Sequence, residues 1–302
     1  MNELKLKDKF CNIKSDYFLQ KIFDIAKKNK SLGIIKYNKM LQKRLNIDIN
    51  SYKDYSQFFS LIEIEIKPIY NFLFKSKFIN MPDEDKEYYH IYFDDKKEEN
   101  KRNYIKKEEK VNNIKIIIDY QVKSFQELFS CCKSIESINF TKFYRINITN
   151  MSYMFFSCIS LKRLNFFNFN SINVTDMSGM FSKCSLVNGL NLSNFNTINV
   201  TDMSRMFYEC SSLKELNLYN FNTINVTNMN SMLEGCSSLK ELNLLNFNTK
   251  KVIDMSHMFS KSSSLKDLNI PNFNNNKTDL NWIFSGCSNE LKKKFYIPKK
   301  YY

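Results

Sequence analysis

The sequence predicts an α/β repeat fold, a solenoid with a parallel sheet along one side, preceded by a small, mainly helical N-terminal region. Three observations predict it. A 26-residue motif recurs through most of residues 111–302. Each copy joins a helix-like spacing of apolar residues to a strand-like alternation. The chain also has only 5 glycines and 4 prolines in 302 residues, which disfavours glycine-rich phosphate-binding loops and nucleotide-binding turns.

Three columns of residues set the register of the repeat at a spacing of 26. They are Met151, Met177, Met203, Met229 and Met255, then Met154, Met180, Met206, Met232 and Met258, then Cys132, Cys158, Cys184, Cys210 and Cys236. Ser262 takes the next cysteine place, and Cys287 follows it. Counting cysteine places predicts seven units between about residues 111 and 297.

Each unit has two halves. Met203, Met206 and Phe207, with Cys210 one turn later, stand at i, i+3, i+4 and i+7, which predicts a two-turn helix. The period-two segment that follows predicts a short strand with alternate leucines inward. One unit buries too little apolar surface to fold alone, so we expect a cooperative stack. The predicted parallel strands lie near residues 112–118, 138–140, 164–166, 190–192, 216–218, 242–244 and 268–270.

The residues before the repeats have a different pattern. Apolar spacing predicts two amphipathic helices, over residues 15–28 and 31–45. We therefore expect a mainly helical module over residues 1–80. Residues 81–110 are rich in both charge signs and predict an exposed linker. Its short apolar island, residues 88–93, is expected to form one strand or to dock on a neighbouring element. Residues 111–302 form the repeat array with a basic tail.

The net charge of +14 is concentrated at the ends of the chain, and residues 1–53 carry 13 basic against 5 acidic side chains. Heavy use of lysine, asparagine and isoleucine is typical of an AT-biased coding sequence. We therefore favour a solvated basic surface, and keep binding of nucleic acid or an acidic membrane surface through residues 1–53 as an alternative.

The residue inventory predicts a protein that is not an enzyme. Only His90 and His257 are present, so a histidine-rich metal site or a histidine-based nucleophile is disfavoured. One cysteine per unit predicts buried packing residues, with disulfides or a metal site as weaker alternatives. We expect no cofactor, no metal and no small-molecule substrate. The charged N-terminus and the lack of an apolar span predict a cytosolic protein without a transmembrane segment.

The repeat unit, Val-Thr-Asp-Met-Ser-Arg-Met-Phe-Tyr-Glu-Cys-Ser-Ser-Leu-Lys-Glu-Leu-Asn-Leu from Val200 to Leu218, resembles that of BspA-like leucine-rich-repeat proteins. This resemblance covers about residues 111–297. It implies a right-handed leucine-rich-repeat solenoid used for protein binding or adhesion, without catalytic residues, and a cell-surface adhesin as the alternative location and role. Two helices ahead of such an array also resemble, in layout only, an F-box adaptor of a ubiquitin ligase.

The strand side of the array holds the candidate partner-binding residues. One outward column is uniformly asparagine, from Asn139 to Asn269, and stacked amides are expected to stiffen the sheet. The next outward column varies and includes large apolar residues, which favours a binding surface. The predicted contact residues are Arg163, Phe167, Glu215, Tyr219, Glu241 and Leu245. They predict a monomeric protein-interaction scaffold, whose N-terminal module docks a second partner.

Overall fold

The computed structural model describes residues 13–15, 19, 38–45, 61–69, 75–107, 109–144, 146–167, 169–271 and 278–295. Backbone contacts divide the chain into two compact units, Met1–Ser60 and Leu61–Tyr302. The described residues are mainly strands and turns with few helices, and the strands form mixed sheets with a parallel component.

The described helix of the first unit is α1, Lys39–Arg44. It begins after Asn38, whose side-chain oxygen accepts a hydrogen bond from the Leu41 N–H, the usual role of an N-cap residue. Leu41 lies on the apolar face of this helix and is fully buried. This helix lies inside the second predicted amphipathic segment.

Most of the other N-terminal predictions fall outside the described residues. Within the first predicted helix, Leu19 is helical and buried, and its N–H donates to the Ser15 carbonyl. The F-box-like layout and the basic surface over residues 1–53 rest on segments that the structure mostly leaves undescribed.

The second unit begins with strands and two-residue pairs rather than helices. Its first strands are β1 Ile62–Pro68, β2 Ser76–Lys77, β3 Tyr89–Phe93, β4 Tyr104–Ile105, β5 Ile114–Ile118 and β6 Ile135–Phe143. Isoleucine alternates with glutamate in β1, and the isoleucines at 62, 64 and 66 are fully buried, as expected for a strand with one core face. A 3₁₀ helix, Asp83–Tyr88, precedes β3.

Within residues 1–80, β1 is a central strand, and most of residues 1–60 lie outside the described residues, so the mainly helical character of this region stays a prediction. The apolar island within residues 81–110 forms β3, which pairs with β5 and buries alternate side chains. One expectation for this region is wrong. The segment 112–118 contains β5, which runs antiparallel to both β1 and β3 and so does not belong to the parallel set.

Strand β6 joins this sheet to the repeats. It pairs antiparallel with β1, placing Ile64 opposite Phe140. On its other edge it pairs parallel with β7, Arg163–Asn165, and Ile138 lies opposite Leu164. The sheet order is therefore β3-β5-β1-β6-β7, and the parallel part starts at β6.

The remaining strands are β8 Gly189–Leu190, β9 Glu215–Leu216, β10 Glu241–Asn243 and β11 Asp267–Asn269. Pairs β8–β9 and β10–β11 are parallel and join residues 26 apart. These five short strands, β7 to β11, lie within about one residue of the predicted positions, so their prediction is confirmed.

The predicted helix in each unit is wrong, and a ladder of turns takes its place. In the unit that starts at Thr201, the N–H groups of residues 203, 205, 207 and 209 donate to carbonyls of the next unit. The N–H groups of Met206, Tyr208 and Cys210 donate instead to the carbonyl three residues back. Alternate residues thus bond between units, which an α-helix does not allow.

Two residues of every turn ladder have the left-handed conformation, such as Arg205 and Glu209, both at φ 54°. Eleven of these fourteen positions are not glycine: Glu127, Cys131, Tyr153, Ser157, Lys183, Arg205, Glu209, Ser231, His257, Lys261 and Trp282. The apolar spacing that fits a helix also fits this turn, and it buries the same side chains.

Consecutive units pair in order along the turn side. Parallel bridges connect residues Ser124, Asn150, Asp176, Asp202, Asn228, Asp254 and Asp279, each to the next. Both methionine columns are fully buried between the turns and the strands, which confirms their predicted packing role. Stacked phenylalanine rings run beside them, with centroids 5.6 Å apart from Phe129 to Phe155 to Phe181 to Phe207.

After the repeats, α2, Asn289–Lys294, is capped by Ser288, whose hydroxyl accepts from the Leu291 N–H. Among the described residues, no helix has both the length and the apolar character that crossing a membrane requires.

Candidate protein-interaction surface

The six predicted contact residues lie on the strand side of the repeat units, and we call them the strand-face patch: Arg163, Phe167, Glu215, Tyr219, Glu241 and Leu245. All six are exposed. The three apolar members expose large fractions of their surface, 60% for Phe167, 83% for Tyr219 and 63% for Leu245. This exposure is what the binding hypothesis requires.

A short turn after each strand directs the apolar residue outward. In β9 the side chain of Leu216 points toward the core and is half-buried, and Leu218 is fully buried. The Tyr219 N–H then donates to Oδ1 of Asn217 at 3.0 Å. The Leu245 N–H makes the same bond to Asn243. Such an asparagine turn replaces the missing strand pairing at this point.

The expected ladder of asparagine amides along the strands is therefore wrong where these bonds form. At Asn191, Asn217 and Asn243, the side-chain oxygen accepts from the N–H two residues later in the same unit. Such a local bond is made within one turn and does not depend on the spacing between units. Among the described residues, no hydrogen bond joins two side-chain amides of this column.

A neighbouring asparagine column holds the turns rigid. The Asn246 side-chain amide donates to the carbonyls of Leu218, Tyr219 and Phe221 in the preceding unit, at 3.0, 3.1 and 2.9 Å. Asn220 repeats this one unit earlier. The backbone of Tyr219 is thus fixed on both sides, so its ring is presented without a large loss of backbone entropy on binding.

The strand-face patch is not one contiguous pocket. A groove of about 650 Å³ is lined by Glu215, Tyr219 and Glu241, together with Asp267. Leu245 does not line it, and Arg163 and Phe167 lie two units away, outside it. The structure thus brings together three of the six predicted residues.

The groove is acidic. Glu241 lies directly opposite Asp267 in the parallel register, and Asp267 is paired with Lys294 at 3.0 Å. Among the described residues, Glu215 and Glu241 have no cation within ion-pair distance. Arg163 lies 3.9 Å from Glu136. A partner that contacts Tyr219 therefore meets two carboxylates that are not ion-paired, with Lys214 also lining the groove.

The cysteine column has a role that the sequence interpretation missed. Five of its thiols donate to a phenylalanine carbonyl of the preceding unit at 2.8 to 3.2 Å. These donors are Cys158, Cys184, Cys210, Cys236 and Cys287. Ser262 makes the same bond, to the Leu233 carbonyl at 2.7 Å. Ser262 in the cysteine column is the sequence signal for this role. Serine and cysteine share a hydrogen that can be donated, so the exchange indicates a conserved hydrogen-bond donor position within the repeat.

Burial also makes these thiols unreactive. Loss of solvent raises the pKa of Cys210 to about 12, and the hydrogen bond lowers it only in part. The pKa of Cys184 lies well above its ordinary value for the same reason. The seven described cysteines are free thiols, and Cys11 lies outside the described residues. Among the described residues, no three histidine, cysteine, aspartate or glutamate side chains group to hold a metal.

His90 lies away from the strand-face patch. Its two ring nitrogens are each 3.3 Å from a carboxylate, one of Glu99 and one of Asp119. This arrangement ties β3 to the end of β5. His257, the other histidine, lies on the turn side of the repeats, in a left-handed conformation.

Comparison with known proteins adds a family. The family model described as "Mycoplasma protein of unknown function, DUF285" matches twice, over residues 123–220 and 190–295. The two matches together span the repeat units and more than half of the chain. No curated protein and no solved structure matches. The chain therefore belongs to the DUF285 family.

Proposed function

We propose that this protein is a non-enzymatic protein-interaction scaffold, built as a right-handed leucine-rich-repeat solenoid of the BspA-like type. One observation carries the proposal: Phe167, Tyr219 and Leu245 occupy the same place in different units and are all held in solvent. Core positions of the repeat are uniform, whereas this position varies and retains large apolar groups. Exposed apolar groups on a rigid scaffold are typical of binding surfaces.

The pairing of the units supports the solenoid part of this proposal. Parallel bridges join equivalent residues of seven consecutive units, and the thiol bonds run between neighbouring units. Each unit contacts its neighbours through the same bonds, which is the defining property of a solenoid.

The partner should present an apolar surface with basic residues around it. Tyr219 supplies a large aromatic contact, and the carboxylates of Glu215 and Glu241 flank it. Complementary charge across an interface speeds association and selects the partner. We therefore expect binding that weakens as salt concentration rises.

The test replaces Phe167, Tyr219 and Leu245 together by serine. We expect the variant to lose partner capture from native cells while its melting temperature changes little, because no core contact is removed. The matched control replaces Tyr120, Ile146 and Ile253, which are 53%, 54% and 61% exposed and lie off the strand-face patch. Capture lost equally in both variants would show nonspecific adhesion, and unchanged capture in the first would place the site elsewhere.

The compartment is also part of the proposal. Five cysteine side chains act as hydrogen-bond donors, which needs reduced thiols, and the cytosol keeps thiols reduced. We therefore propose a cytosolic protein. Digestion of intact cells by an external protease tests this: protection of the protein supports it, and cleavage would favour the surface-adhesin alternative.

A further inference from the structure

The turn side of the repeats carries a second groove, of about 620 Å³, that the strand-face patch does not include. Its walls carry aromatic and charged side chains: Tyr153, Phe156, Lys183, Arg205 and Tyr208 line it, and so does Glu234. It runs along five consecutive units, from the one that holds Tyr153 to the one that holds His257. Hydrogen bonds between units fix its backbone floor.

Left-handed backbone positions supply several of these side chains. Tyr153, Lys183 and Arg205 have φ values of 54°, 61° and 54°, a conformation that glycine adopts without strain. Three of the chain's five glycines do occupy equivalent positions, at Gly179, Gly235 and Gly286. The fold therefore accepts glycine here, and the large side chains at the other positions are not required by the backbone.

Gly179 shows how the groove floor is built. A Cβ atom there would lie 2.4 Å from the ring of Tyr153. The Tyr153 ring therefore lies on the backbone of the next unit, and it packs edge-to-face with Phe156 at 5.8 Å between centroids. The groove floor is thus aromatic and shaped in advance of any ligand.

Two aromatic rings stand two units apart in one column, Phe156 and Tyr208, with the small Ser182 between them. The ammonium of Lys183 lies 6.0 Å from one ring centroid and 5.9 Å from the other. Two steps of a parallel ladder span about 9.6 Å. One turn of a polyproline II helix is three residues at 3.1 Å each, about 9.3 Å. Prolines three residues apart would therefore meet both rings.

The charges of the groove favour an acidic ligand. Lys261 is paired with Glu234 at 2.8 Å, and Lys183 lies 3.8 Å from Glu209. Among the described residues, Arg205 has no carboxylate within ion-pair distance, although it is exposed in the groove. An exposed guanidinium without a carboxylate partner is suited to bind the carboxylate of a ligand through two hydrogen bonds.

We propose that this turn-side groove binds a proline-rich segment of a partner protein in the polyproline II conformation, with prolines on Phe156 and Tyr208 and an acidic residue at Arg205. Aromatic-lined grooves recognise such segments because the polyproline II helix is already extended and loses little entropy on binding. The inference does not depend on the strand-face patch.

The test measures fluorescence anisotropy of the full chain with a labelled peptide of repeating Pro-Pro-Glu. The comparison peptide is Gly-Ser-Glu of the same length and charge, which is flexible. We expect the proline peptide to bind at least about tenfold more tightly, and Tyr208→Ala or Arg205→Ala to weaken it about tenfold. Tyr120→Ala, an exposed aromatic outside both the groove and the strand-face patch, is the matched control and should leave binding unchanged.

Three results would overturn the proposal. Equal affinity for the two peptides would show attraction by charge alone. If the proline peptide still binds both the Tyr208→Ala and the Arg205→Ala variants, the binding site lies outside this groove. If the proline peptide does not bind the protein at all, the groove does not take this ligand. Displacement of the peptide by polygalacturonate, with tighter binding of that polysaccharide, would instead make the groove a carbohydrate site. Circular dichroism of each variant verifies folding, and either single variant suffices if the other fails to fold.

Discussion

The five-stranded sheet and the repeat units are stabilised by different chemistry. On the outer face of the sheet, Glu63 pairs with Lys115 at 3.3 Å and with Lys142 at 3.1 Å. In the repeats, neutral donors join neighbouring units, above all buried thiols and asparagine amides, such as Cys210 and Asn246. The sheet thus carries a half-buried carboxylate that must stay ionised, and the repeats carry a column of buried thiols that must stay neutral.

This difference predicts opposite responses to pH. Burial raises the pKa of Glu63, but the bond from Lys142 and the charges of Lys115 and Lys142 outweigh it, and the net pKa lies below 4.5. Its contribution is present above pH 4.5 and is lost as pH falls through the folded pKa. The thiols have pKa values above 9.0, so their contribution is present below pH 9 and is lost as pH rises.

The largest expected effect is alkaline unfolding of the repeats. Above pH 9 each buried thiol should cost about 1.4 kcal/mol of stability per pH unit, up to its folded pKa. Hydrogen exchange measured by mass spectrometry should show that peptides from 151–265 lose protection between pH 9 and 11, before those from 61–69. The sheet peptides should lose protection first below pH 4.5. A single transition in both regions at both extremes would contradict the comparison.

The next effect is removal of a stacked ring. Phe181 is fully buried between Phe155 and Phe207, so Phe181→Ala should cost about 3–5 kcal/mol of unfolding free energy. Urea denaturation measures this loss. Phe167→Ala, an exposed ring in a neighbouring unit, serves as the control and should stay within about 0.5 kcal/mol. A small loss for Phe181→Ala would mean that the column is not core.

The smallest effect distinguishes donation from packing in the cysteine column. Cys210→Ser keeps a donor, as Ser262 does naturally, and should change the unfolding free energy less than Cys210→Ala does. The alanine variant removes the thiol bond to the Phe181 carbonyl, which keeps its bond from the Cys184 N–H, so the loss should be about 0.5–1.5 kcal/mol. Thermal melts of the two variants side by side measure the difference. If Cys210→Ser destabilises the protein more than Cys210→Ala does, then packing, and not hydrogen bonding, determines how residue 210 contributes to stability.

Much of the repeat structure could be predicted because its signals are local and recur. The 26-residue register, the strands near Leu216 and Leu242, and burial of both methionine columns follow from spacing alone. The turn ladder could not be predicted this way. Met203, Met206, Phe207 and Cys210 fit a helix and a turn equally well, and the bonds that decide between them come from the next unit.

The sheet and the asparagine roles show two other limits. The alternation from Ile62 to Ile66 signals a strand, but the prediction of a mainly helical module over residues 1–80 does not use this period. Coding bias and one stiffening column account for asparagine in the sequence prediction, but Asn199 in another column also donates to the Ile172 carbonyl of the preceding unit. Exposure of Tyr219 was predictable because its column varies, while the acidic groove beside it depends on how the units stack.

The central claim is that the strand-face patch contacts a protein, and photo-crosslinking tests it most directly. A benzoylphenylalanine replaces Tyr219 in one variant and Tyr120, an exposed tyrosine off the strand-face patch, in the other. Both are expressed in native cells and irradiated. We expect one discrete crosslinked species from position 219 and none from position 120. Equal crosslinking at both positions, or none at 219, would contradict the claim.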